Sequence, residues 1–296
     1  MSEQVIGIIG GTGIGERLAG VEGGERIAMD TPFGRPSGEI LKTRIHGVTC
    51  LVLSRHGDGH LLNPSVVPYR ANIYALKALG ATAVVATGAT GSLREEIAPG
   101  HLVICDQVID RTTDRARTFF DRDVVAHVEM GEPFCESMRR ALIQAADAVE
   151  TTVHARGTYV CMEGPQFSTR AESMMHRAGG GDLIGMTVMP EAKLAREAEL
   201  CYALVALPTD YDCWRPHAGG QDKGALLAEI MANMNRASDA ALALIREFLR
   251  RVSGMSAATC GCPRALELAI WSDRKKVPRA AVERLRPLIG RYFADE

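Results

Sequence analysis

The chain has 296 residues, with 34 basic and 36 acidic side chains and a net charge of −2. That balance leaves no basic footprint for nucleic acid, and no apolar run reaches the ~20 residues needed to span a bilayer. Apolar residues make up 46%, enough for a sizeable core. The start, "MSEQVIGIIGG", lacks the charged opening and long apolar region of a signal peptide. A cytoplasmic protein with neither nucleic-acid nor membrane partners is expected.

In chain order, apolar runs predict strands at 5–9, 49–53, 82–87, 101–105, 157–161, 182–186 and 202–207. Several are continuous rather than alternating, as in strands covered on both faces. Helical spacing predicts helices at 69–79, 133–148, 169–178, 190–199 and 223–252. The alternation implies an α/β fold around a largely parallel or mixed sheet. No proline- or serine-rich linker breaks it, so one domain is expected. The tail from about 263 to 293 reads as two short helices punctuated by Pro278 and Pro287.

Eight cysteines in a chain of this length do not make a disulfide scaffold. Most sit in apolar runs, where a free thiol behaves as a small hydrophobe. Cys260 and Cys262 differ: "CGC" lies in a loop, and a strained local disulfide is open to it. A zinc site would need two further ligands, and none stands nearby in sequence, so no metal is expected.

Ligands of α/β sheets gather beyond the carboxyl ends of strands. Six of the predicted strands end in glycine, hydroxyl, acidic or basic groups: "GGTG" (10–13), "SRHGDGH" (54–60), "GATGSLREE" (88–96), "MEGPQFSTRAE" (162–172), "TVMPEAKLA" (187–195) and "PTDYDCW" (208–214). The first resembles a dinucleotide loop, but the last glycine of G-x-G-x-x-G is missing and no long helix follows. A small-anion loop fits better, with glycines that let N–H groups approach an oxyanion and Thr12 adding a hydroxyl. Arg55 and His56 supply a planar cation and a second donor for the same anion. Phe167, in a loop after a Gly-Pro turn, can stack on a flat heterocycle. Met186 can cover an apolar sugar face and Thr187 can hold an oxyanion. Asp210 and Asp212, one residue apart at a strand mouth, read as a metal site or an acid/base pair. Tyr211 between them should point the other way, and Trp214 should pack the loop.

These motifs, together with "DTPFG", "YRANIYALK", "GSLREEIAPG", "DQVIDRTT", "EPFC" and "MTVMPEAKLAREAELCYA", resemble the nucleoside phosphorylases of the trimeric purine type, from about residue 6 to 214. The tail after "CGC" is similar to that of microbial members. The resemblance implies a single-domain purine nucleoside phosphorylase-like fold over 1–262, with 263–296 as a helical extension packed on the same domain. It implies that inorganic phosphate, a co-substrate and not a cofactor, attacks C1′ of a nucleoside and expels the purine. Thr12, Arg55, His56, Thr187 and the backbone at Ala89 would hold phosphate, with His56 and Asp210 catalytic. Phe167, Ser168 and Met186 would line base and ribose, Leu227 the 5′ pocket, and His127 a neighbouring subunit's 5′ pocket. The family forms trimers, or hexamers as paired trimers.

The residues refine that reading. Phosphorylases for 6-oxopurines carry asparagine at the Asp210 position and glutamate after the stacking phenylalanine. Here Ser168 follows Phe167, and Asp212 would accept from a 6-amino group, so 5′-methylthioadenosine is the expected substrate. Asp210, desolvated beside the base, would hold a proton for N7. Gly88 stands where a threonine is expected, and Asp58 lies close in sequence to the anion groups. Methylthioinosine, adenosine or 5′-deoxyadenosine as substrate, or a non-catalytic nucleoside sensor, are the alternatives.

Overall fold

The protein is described by a computed structural model covering residues 4–11, 14, 17, 23–215, 223–252 and 260–293. Among these, eleven strands form one mixed sheet: β1 (Val5–Gly10), β2 (Glu25–Ile27), β3 (Ile40–Ile45), β4 (Val48–Ser54), β5 (Ala83–Ser92), β6 (Leu102–Ile104), β7 (Gln107–Arg111), β8 (Val153–His154), β9 (Thr158–Met162), β10 (Leu183–Gly185) and β11 (Cys201–Tyr211). The helices are α1 (Tyr69–Ala78), α2 (Glu136–Ala145), α3 (Arg170–Ala178), α4 (Val188–Glu197), α5 (Lys223–Val252), α6 (Arg279–Arg284) and α7 (Arg286–Ile289).

β5 is the centre of this sheet. Its first half, "AVVAT", pairs in parallel with β1 on one side and β11 on the other. Side chains alternate across the pleat, so Val84 and Ala86 enter one apolar cluster and Ala83 and Val85 another. β11 divides in the same way, with Leu204 and Ala206 opposite Ala203 and Val205. The first cluster is closed by Ile73 and Leu76 of α1 and Leu194 and Ala195 of α4. The second is closed by Leu142 of α2 and Leu244, Ile245 and Phe248 of α5. Two covered faces explain why these strands read as unbroken apolar runs.

Past Ala86, β5 leaves β1 and pairs antiparallel with β10 through Gly91 and Ser92. Gly91 is needed there, because a Cβ would stand 3.2 Å from both Asp212 Cβ and Ile184 Cγ2. β11 follows β5 outward, but its register shifts between Pro208 and Asp210. This bulge re-aims the strand end that carries the two aspartates.

The seven predicted strands and five predicted helices are all present, with end shifts of a few residues and β11 longer than predicted. Thr169 caps α3 in a capping box with Glu172. α4 starts at Val188, with Met189 extended (φ −110°, ψ 133°) before the regular turns begin. The strands that periodicity missed are the edge strand β2, the alternating β3, the half-buried β7 and the two-residue β8. The tail forms two short helices, α6 and α7, and its Leu266, Leu285, Leu288 and Ile289 join the cluster beneath α1 and α4. No described helix is long and apolar enough to cross a membrane.

Candidate active site

A cavity of about 410 Å³ opens at the carboxyl ends of the central strands. Each of the six polar strand ends read from the sequence delivers at least one residue to it. Gly11 follows β1, and Arg55, His56 and His60 follow β4. Gly88, Ala89 and Thr90 come from β5, and Met162, Phe167 and Ser168 from the end of β9 and the loop beyond. Met186 and Thr187 follow β10, and Thr209 through Cys213 end β11. Thr12 and the stretch 216–222 lie outside the described residues.

One wall is polar. Arg55 is fully buried, but its fork does not face the cavity as an open bidentate clamp. Nε and Nη2 donate to the two carboxylate oxygens of Glu191, each at 2.8 Å, and Nη1 donates to the Thr87 carbonyl at 2.7 Å. Each Nη keeps one further N–H without a described partner. Glu191 is completed by the Tyr202 hydroxyl at 2.8 Å. A full cation at zero exposure persists because a carboxylate at zero exposure meets it in fork geometry.

His56 also departs from expectation. Its Nδ1 lies 2.8 Å from the Leu62 carbonyl, which can only accept, so Nδ1 carries the hydrogen. Burial and the Arg55 charge hold the imidazole down at about 4. With Nδ1 carrying the hydrogen, the neutral ring presents Nε2 as an acceptor, while a protonated ring would present it as the anion donor read from the sequence. The His60 ring stacks on it at 4.2 Å. Asp58 is exposed and lies outside the cavity wall. Thr187 is buried at the entry to α4, and its Oγ1 would stand 3.4 Å from a Cβ at Gly88. The space that a threonine would fill at Gly88 is thus bounded by the Thr187 hydroxyl.

The end of β11 carries the aspartates. Asp210 Oδ1 accepts from the Thr209 hydroxyl at 2.8 Å. Asp212 is buried, and its Oδ2 has no hydrogen-bond partner among the described residues. An orphaned buried acceptor costs about 1–3 kcal/mol unless a ligand donates to it. The Tyr211 hydroxyl turns away to the Glu95 carbonyl at 2.9 Å, and Trp214 Nε1 bonds the Ser92 carbonyl at 2.8 Å, both as read from the sequence. Phe167 is 86% exposed, so it is a free ring over the cavity and not core filler.

Other residues of the wall were not legible. Ile230 and Met234 of α5 supply an apolar flank. Leu227, one turn earlier, is 61% exposed and is not among the described residues that line this cavity. The helical recurrence of apolar residues was visible, but not which face of α5 meets the cavity. Arg115 braces the Met186–Met189 turn, with Nη1 donating to both carbonyls at 2.6 Å. Its Nε bonds Glu163 Oε1 at 3.0 Å. Against the effect of burial, hydrogen bonds from Ser65, Thr113 and Arg115 hold the Glu163 carboxyl down at about 2. His127 lies outside this cavity, where its backbone N–H bonds the Ala269 carbonyl and its ring meets Trp271 edge-on at 4.9 Å.

Cys260 and Cys262 are free thiols, not a disulfide. Cys260 Sγ lies 3.3 Å from Cys201 Sγ, and Cys135 completes a group of four. The two sulfurs that the sequence did not place beside "CGC" come from the start of α2 and the start of β11.

A largely apolar cavity at the strand ends of a mixed sheet, lined by Arg55 and His56, by the Gly88–Thr90 backbone and by two aspartates, suits a nucleoside-cleaving phosphorylase. The chain belongs to the Phosphorylase superfamily, whose profile matches residues 5–250. It is 48% identical over 291 residues to the S-methyl-5′-thioadenosine phosphorylase of Geobacter sulfurreducens, covering 98% of this chain and 99% of that one. The Cereibacter sphaeroides protein of the same name is 47% identical over 293 residues, covering 98% and 99%. Among solved structures, a methylthioadenosine phosphorylase from an antarctic soil metagenomic library superposes with a TM-score of 0.88 at 42% identity, covering 97% of this chain and 99% of that one. A variant of the Schistosoma mansoni adenosine/methylthioadenosine phosphorylase in complex with methylthioadenosine gives 0.82 at 35%, covering 91% and 99%.

Proposed function

We propose that the chain catalyses phosphorolysis of 5′-methylthioadenosine, giving adenine and 5-methylthioribose 1-phosphate. The observation that carries the reading is the buried Oδ2 of Asp212, without a partner among the described residues, in the same cavity that Arg55 and His56 line. An exocyclic 6-amino group supplies the missing donor, whereas the O6 of a 6-oxopurine would set two acceptors against each other.

Phosphate binds between the Gly88–Ala89 backbone, the Thr187 hydroxyl and the remaining N–H groups of Arg55. Because Glu191 already balances the Arg55 charge, the anion is held by directed donors more than by net positive charge. The Nε2 of neutral His56 accepts the P–OH of hydrogen phosphate, which leaves the three unprotonated oxygens for donors and one of them for attack. Phe167 covers one face of the base and Met186 the ribose. As the C1′–N9 bond lengthens, positive charge gathers on the sugar and the bound dianion stabilises it. The bonding pair leaves with the purine, Asp210 provides the proton or short hydrogen bond at N7, and a phosphate oxygen closes on C1′. Ser168 keeps its place at the base edge, where the Cys213 thiol donates to its carbonyl at 3.3 Å.

Ile230 and Met234 favour a methylthio group over a 5′-hydroxyl, which a polar wall would otherwise hold. We read the working unit as a trimer or a pair of trimers. Residues 125–127 pair antiparallel with 269–271 and leave Val125 and Trp271 exposed beside His127, an apolar face suited to a neighbouring copy whose 5′ pocket His127 completes. A cytoplasmic setting suits eight unpaired cysteines.

The test is base release with and without phosphate from methylthioadenosine, adenosine, 5′-deoxyadenosine, methylthioinosine and inosine. Phosphate-dependent release, fastest from methylthioadenosine, is the expected result. Equal turnover of methylthioinosine would overturn the assignment of Asp212. No release from any of them would favour a nucleoside sensor.

A further inference from the structure

Cys135, Cys201, Cys260 and Cys262 converge from three separate segments, and their four Sγ atoms all lie within 4.8 Å of one another. Cys135 precedes the first turn of α2, Cys201 opens β11, and the other two belong to the loop that leads into residues 263–293. Three of the four are buried. Tetrahedral thiolate coordination with bonds of about 2.3 Å places sulfurs about 3.8 Å apart; Cys201 and Cys260 Sγ stand at 3.3 Å, and every pair lies within 4.8 Å. We propose that these four cysteines form a structural zinc site that fastens the C-terminal segment to the phosphorylase domain.

The surroundings suit thiolates. The first turn of a ten-residue helix faces Cys135, which favours the anion there. Arg196 Nη1 donates to Cys262 Sγ at 3.8 Å, supplying a hydrogen bond and a positive charge beside a centre whose net charge would be −2. The backbone at Cys135 is already fixed, its N–H bonding the Tyr202 carbonyl at 2.8 Å. Binding Zn²⁺ would release the thiol protons to solvent and close the group without any change of oxidation state. Pairing the same sulfurs as disulfides would need an oxidant, and the one-residue ring of a Cys260–Cys262 bond would be strained. With four ligands from the chain the site would have no open position, so its role would be structural, not catalytic.

The full chain, purified under a thiol reductant, is loaded with zinc, gel-filtered and assayed for bound metal. Cobalt is then substituted and its absorption recorded. Expected are one zinc per chain, intense thiolate-to-cobalt charge-transfer bands, and d–d bands of tetrahedral strength. Cys260→Ser and Cys262→Ser should each lose the metal and lower Tm, while base release from the variants shows that they fold. Absence of zinc from the reduced wild type would overturn the proposal, whether its eight thiols react freely or non-reducing peptide mapping finds two disulfides among the four. A Cys260→Ser protein that keeps its zinc and an unchanged cobalt spectrum would overturn the four-sulfur site.

Discussion

Arg55 and Glu191 form a doubly hydrogen-bonded ion pair in which neither side chain reaches solvent. The pair joins the end of β4 to the first turns of α4, and so holds the cation in the cavity wall. Glu191→Gln would leave the Arg55 charge buried and only half-compensated. Loss of about 3–5 kcal/mol in urea unfolding is expected, with a raised KM for phosphate in whatever folds. A loss below about 1 kcal/mol would show that Arg55 does not depend on Glu191.

On the proposed reading, Asp212 selects the base. Asp212→Asn replaces an acceptor-only group with one that can turn an N–H toward O6. The ratio of kcat/KM for methylthioadenosine over methylthioinosine should fall about ten- to a hundredfold. An unchanged ratio would separate Asp212 from base recognition.

On the same reading, Met234 and Ile230 face the 5′ group. Met234→Ser should weaken methylthioadenosine by about tenfold in kcat/KM, the scale of one lost apolar contact, and leave adenosine less affected. Equal losses on the two substrates would place the 5′ group elsewhere.

Two buried groups give opposite pH slopes. His56 sits at about 4 against an ordinary 6.5, so below 6.5 the unfolded chain takes up a proton that the folded one refuses. That contribution lowers stability as pH falls from 6.5 to 4, by on the order of 3 kcal/mol. Burial pushes the Glu197 carboxyl up to about 7 from 4.5, so the folded chain holds the extra proton there and stability falls as pH rises from 4.5 to 7. In the wild type the two contributions oppose each other between pH 4.5 and 6.5. Glu197→Gln should remove the second slope and expose the first, seen as a Tm that drops steadily from pH 6.5 to 4.5. A flat profile in that variant would mean that His56 is not held neutral by the fold.

Much of this site was legible because strand ends announce themselves: an apolar run stops and polar or glycine residues follow at once. All six ends converge in the cavity, and Asp210, Asp212, Phe167, Met186, Thr187, Arg55 and His56 line it. Pairings between distant segments were not legible. Glu191 reads as an ordinary first-turn acid of a helix, and nothing near it in sequence signals a buried arginine. The helix 223–252 shows apolar residues on more than one face, and only packing against β11 and α2 decides that residues 230 and 234, not 227, meet the cavity. The His56 tautomer hangs on the Leu62 carbonyl six residues on. The four-cysteine group needed α2, β11 and the loop at 260–262 to be brought together before it could be seen.

The most direct test of the phosphorolysis reading is product analysis by ¹H and ³¹P NMR, with methylthioadenosine and inorganic phosphate as the only substrates. Adenine and 5-methylthioribose 1-phosphate should appear in equal amounts, and none of either without phosphate. Adenine accompanied by free methylthioribose, or formed at the same rate without phosphate, would contradict it.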